Sequence, residues 1–135
     1  MNQARTNIIR EARLFIGAPF KHQGRTIEGM DCVGLIIAVG HNLGLVNVDF
    51  TAYERSPQPG EFLDAISKYL VRTSEQKPGN ILVLSLPLYP SHLAFYTKEN
   101  TIVHASSSRG RVIENRLSKD WMGRIKSMWT FPGVD

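Results

Sequence analysis

A chain of 135 residues with 42% hydrophobic and 21% charged residues is expected to form one domain, residues 1–135, whose core needs neither disulfides nor metal staples. Its single cysteine excludes an intrachain disulfide and a multi-cysteine zinc site, and no apolar run approaches the roughly 18 residues of a membrane span. The net charge of +4 would suit an anionic partner, but the 16 Lys and Arg are scattered, with Arg109 and Arg111 the tightest group, and no nucleic-acid motif accompanies them; we read a solvated basic surface and no nucleic-acid partner.

The start, Met1-Asn2-Gln3-Ala4-Arg5-Thr6-Asn7, lacks the apolar stretch and small-residue cleavage site of a secretory signal. The chain is therefore expected to be made in the cytoplasm and to need another route to any target outside. A first helix is predicted from about Thr6 to Ile16, because Ile8, Ala12, Phe15 and Ile16 share one face, and Gly17 and Pro19 stop it. Phe20 to Met30 reads as a loop. A second helix from Cys32 to Leu43 is apolar almost all round, which predicts a buried central helix stopped by Gly44. Asn47 to Gly60, with Pro57 and Pro59, reads as an irregular connection, and a third helix is expected from Glu61 to Val71.

After Pro78-Gly79 the pattern turns to strands: Ile81–Leu86, Leu93–Thr97, Thr101–Ala105, Arg111–Ile113 and Ile125–Phe131. Helices first and strands afterwards predict an α+β fold with an antiparallel sheet.

Cys32 follows Asp31, a good N-cap residue, so it falls in the first turn of the second helix, where the helix dipole and unpaired N–H groups favour a thiolate. A lone cysteine there is either buried filler or a nucleophile. If Lys98-Glu99-Asn100 turns a hairpin, residues whose numbers sum to about 196–198 face one another, and His92 stands beside His104 or a close neighbour. A helix-borne cysteine against that sheet would complete a nucleophile, base and orienter. A zinc site from Cys32, His92 and His104 is the alternative use of the same donors. Ser106-Ser107-Ser108 reads as a loop, while His22 could line the cleft and His41 falls late in the second helix.

The order Asp31-Cys32-x-Gly34-Leu35, Pro78-Gly79-Asn80, His92-x-Ala94-x-Tyr96 and Val103-His104-Ala105, with Ile16-Gly17-Ala18-Pro19-Phe20 and Gly24 upstream, resembles the NlpC-type cell-wall cysteine peptidases of the papain-like group over about residues 8 to 106. The resemblance implies a papain-like fold, with the nucleophile at a buried helix N-terminus packed on a C-terminal antiparallel sheet. It also implies hydrolysis of peptidoglycan stem peptides, typically between D-glutamate and a diamino acid, with no cofactor. On the matching positions Cys32 is the nucleophile, His92 the general base and His104 the orienting residue. Asp31 is a cap and a contact to the substrate's free amine. Val33 stands where the family has serine, Phe20 where it has tyrosine and Asn80 where it has aspartate, so Val33 and Phe20 would reshape the substrate-binding wall. The small size resembles the phage-tail or gene-transfer-particle branch, whose particle proteins would be partners and would deliver the enzyme to the wall. Two other readings stand beside this one: a papain-like acyltransferase or amidase for another substrate, and a tail-associated structural module with a vestigial site.

Overall fold

The computed structural model describes residues 2–47, 49, 53 and 58–135. The connection expected over Asn47–Gly60 lies largely outside them. Helix α1, Gln3–Leu14, begins where Asn2 accepts the Arg5 N–H at 2.9 Å, and it buries Ile8, Ile9 and Ala12. Helix α2, Cys32–Asn42, is buried from Val33 to Gly40, as its all-round apolar sequence predicts.

Between these helices the expected loop contains a short hairpin, β1 (Arg25–Thr26) and β2 (Gly29–Met30), paired antiparallel with Arg25 opposite Met30. Gly24 and Gly34 explain how closely it seats against α2. A Cβ on Gly34 would lie 1.9 Å from the Gly24 carbonyl oxygen, so only glycine lets the first turn of α2 approach the hairpin.

Helix α3, Pro59–Ser67, starts with proline at its head and stops before the expected end at Val71. Val71–Thr73 instead forms strand β3, because pairing with a neighbouring strand satisfies its backbone and its β-branched side chains suit a ladder. The remaining elements are β4 (Ile81–Leu84), β5 (His92–Tyr96), β6 (Thr101–Ser106), β7 (Arg111–Arg116), the short α4 (Lys119–Met122) and β8 (Ile125–Thr130). The six-stranded sheet runs β3-β8-β4-β5-β6-β7, antiparallel throughout. The fold is α+β with an N-terminal helical part and an antiparallel sheet, as expected.

Burial on both faces explains the unbroken apolar run of β4. The main core joins α1, α2 and α3 to one face through residues such as Leu35, Phe62, Phe95 and Phe131. Leu82, Leu84, Ala94, Ile102 and Leu117 form a second cluster on the other face, with Trp121 of α4 packed on it. Buried Arg5 ties the helices to the start of the sheet by donating to the Pro78 carbonyl (2.9 Å), Asn80 Oδ1 (3.0 Å) and the Asp135 carbonyl (2.6 Å). The residue after Pro78-Gly79 thus serves as a buried polar joint, with Asn80 Nδ2 also donating to the Glu75 carbonyl at 2.7 Å.

Candidate active site

Cys32 is the first residue of α2, and its half-buried side chain opens onto a cavity of about 600 Å³. Asp31 caps the helix: its Oδ1 accepts the Gly34 N–H at 2.7 Å. The helix end was expected to favour a thiolate, and the structure corrects this. Burial, with the adjacent Asp31 carboxylate adding to it, pushes the thiol up to about 12, although N–H groups of Leu93, Val33 and Cys32 facing the sulfur pull the other way. Desolvation outweighs the dipole at this position.

The Leu93 N–H facing the sulfur puts the start of β5 beside Cys32. His92, 6% exposed, lines the same cavity, and its Nε2 lies 2.8 Å from His104 Nδ1. Phe95 faces Val103 and Tyr96 faces Ile102, so paired numbers sum to 198, at the upper end of the expected range. Ala94 therefore falls opposite His104 in this register, and His92 meets His104 on the diagonal, on the same face of the sheet. The rings contact edge to face at 5.0 Å, and Trp121 packs edge-on against His104 at 5.3 Å.

Burial, and then the neighbouring His104, push His92 down to about 3, while burial also lowers His104. Burial thus favours the uncharged form of the thiol and of both imidazoles. The zinc alternative gains nothing from this geometry, because two of its three donors point at each other at hydrogen-bond distance. Among the described residues no group of three or more His, Cys, Asp or Glu is arranged to hold a metal ion.

His104 Nε2 lies 2.6 Å from Asn115 Oδ1 on β7, a residue the sequence reading missed. Its signal was the next hairpin. His104 faces Ile113 and Ile102 faces Asn115, so Asn115 meets His104 by the same diagonal step that brings His104 to His92.

Asp31 carries more than the cap. Its Oδ2 accepts the Gln23 N–H and the Tyr53 hydroxyl, both at 2.7 Å, and Arg25 Nη1 lies 3.3 Å from Oδ1. With Gly34 these donors take up the roughly four acceptor positions of a carboxylate. Burial, and then the charge of Asp31, push the Tyr53 phenol up, so it stays protonated and donates. Tyr53 also packs edge-on against His22, which does line the cavity. Phe20 and Val33 line it as well, but Val33 is only 2% exposed and belongs mainly to the core.

A cysteine heading a central helix and set against an antiparallel sheet is the papain-like arrangement. The model of the NlpC/P60 family matches residues 17–130, and the chain belongs to that family, whose members are generally peptidoglycan hydrolases. Among solved structures, the NlpC/p60 domain of the peptidoglycan hydrolase SagA superposes with a TM-score of 0.62 at 18% identity, covering 96% of this chain and 99% of that one. An NlpC/P60 family protein from Bacillus cereus gives 0.70 at 16% identity and 97% of this chain, which spans only 41% of the Bacillus protein. RipD from Mycobacterium tuberculosis, described as non-catalytic and adapted to peptidoglycan binding, gives 0.63 at 15% identity over 96% and 98%. At these identities the likeness concerns the fold. No curated protein matches the sequence significantly.

Proposed function

We propose that this chain is a cysteine-type amidase acting on peptidoglycan stem peptides, with Cys32 as nucleophile, His92 as general base and His104 orienting it. The observation that carries the reading is the 2.8 Å pairing of His92 and His104 in the cavity that the Cys32 side chain enters from a helix N-terminus. Since the resting groups are neutral, the thiol proton passes to His92 as sulfur attacks the scissile carbonyl. The imidazolium then returns that proton to the leaving amine, and water releases the acyl group from sulfur by the reverse route. Family membership supports the substrate class. The proposed bond is the D-glutamyl–diamino acid amide, and phage-tail or particle delivery is the proposed route to the wall.

Digestion of purified peptidoglycan followed by mass analysis tests the reading. New amine and carboxyl ends within stem peptides are expected from the native chain. They should vanish in Cys32→Ala, which should melt at nearly the native temperature. An intact wall after prolonged incubation, with the native chain still sedimenting with it, would replace this reading with that of a binding module.

A further inference from the structure

The hydrogen-bonded line from His92 does not end at His104. Asn115 Oδ1 lies 2.6 Å from His104 Nε2, and Asn115 Nδ2 donates to the Arg116 carbonyl at 3.1 Å. The second contact fixes which way the amide points, because a carbonyl oxygen accepts only from the NH2 side. The oxygen of Asn115 therefore faces the ring.

We propose that Asn115 is a positioning residue that sets the tautomers of both histidines and so leaves His92 Nδ1 as the basic nitrogen of the site, an inference that rests on the amidase reading above. An oxygen acceptor at His104 Nε2 requires the proton there, and a neutral ring protonated at Nε2 presents a lone pair at Nδ1. That lone pair can only accept, so His92 must donate from Nε2. His92 Nδ1 is then bare and able to take the thiol proton. Reversing the amide would reverse every step and leave His92 protonated at Nδ1, where it could not act as base. The end of the line is neutral, unlike a carboxylate, and gives an imidazolium no compensating charge; burial lowers both rings, and on His104 the Asn115 hydrogen bond opposes that lowering without cancelling it.

The tautomers can be read without turnover, from ring nitrogen-15 shifts of the folded Cys32→Ala protein at neutral pH. Both histidines should be protonated at Nε2, and adding Asn115→Ala should return His104 to a mixture. A mixture already present with Asn115 intact, or unchanged rings on its removal, would overturn the proposal. In the active chain, Asn115→Ala should lower kcat at least about 10-fold with KM within a few-fold. Asn115→Asp keeps the acceptor and adds a charge, so it should retain more of kcat than Asn115→Ala while moving the acid limb of the pH profile upward. Equal loss in both variants with an unmoved limb would reduce Asn115 to a packing residue. An intact chain that hydrolyses nothing would refute the amidase reading, and the nitrogen shifts would still decide the tautomers.

Discussion

Neutral Cys32 and His92 make the molecule sensitive to pH at both ends. An ordinary His titrates near 6.5, and burial holds His92 near 3, so below 6.5 the unfolded chain binds a proton that the folded one refuses. Stability present above pH 6.5 is lost as pH falls toward 3. Cys32 behaves in the opposite sense: the folded thiol keeps its proton up to about 12 while an unfolded one releases it near 9, so stability falls as pH rises through that window. Melting temperature should fall on both sides of a plateau between about 6.5 and 9, with Cys32→Ala flattening the alkaline side relative to the native chain; superimposable profiles would contradict the buried thiol. Iodoacetamide should label the resting protein only well above the usual cysteine range near 8.5. Asp31 leads to a specificity prediction. With its acceptor positions filled, an incoming ammonium must displace Arg25, so Arg25→Met should lower KM for a stem peptide with a free N-terminal amine several-fold and change the N-acetylated peptide little. Equal effects on the two would show that the amine does not approach Asp31.

At the scale of elements, the approach of α2 to the β1–β2 hairpin is the tightest joint near the site. Gly34→Ala puts a methyl group 1.9 Å from a backbone oxygen that cannot swing away, and the expected cost is roughly 1–3 kcal/mol or more, read by denaturant unfolding. A fully stable variant would mean the hairpin can retreat. Which elements could be read in advance follows the same physics. Helix α2 and strands β4, β5, β6 and β8 announce themselves by apolar or β-branched runs long enough to show a period. The hairpin was hidden because each strand is only two residues long and its pairing depends on the contact with α2. Strand β3 was hidden because it continues an apolar helical stripe, and only its partner β8 turns it into a ladder. Of the candidate site, Cys32, His92 and His104 stand out in local motifs, and the structure brings them to one cavity. Asn115 does not stand out, because its partner lies across a hairpin whose register must be known to within a residue. The thiol's protonation also escaped, because a helix end is visible in sequence and the depth of burial is not.

The whole molecule is fastened across long stretches of sequence. Gly17 to Phe20 runs along β7, where the Gly17 N–H reaches the Val112 carbonyl, the Val112 N–H reaches the Ala18 carbonyl, and the Phe20 N–H reaches the Gly110 carbonyl, so this sheet edge is covered by the segment that leads into the cleft. Arg13 pairs with Glu114 on β7 and with Glu99 in the β5–β6 turn, joining α1 to the same side. At the other side β8 sits between β3 and β4, although it comes later in the chain than either. A chain stopped after Gly123 should lose cooperative unfolding and expose Cys32 to thiol reagents at the rate of a free peptide. A sharp melt would show that β4 to β7 stand alone.

That strand order gives the molecule a timetable during its own synthesis. Cys32 leaves the ribosome early, while the sheet it packs against cannot be completed until Ile125–Thr130 has emerged to pair with β3 and β4. A chain that has grown only as far as α4 therefore carries Cys32 and both histidines without the strand that joins β3 to β4.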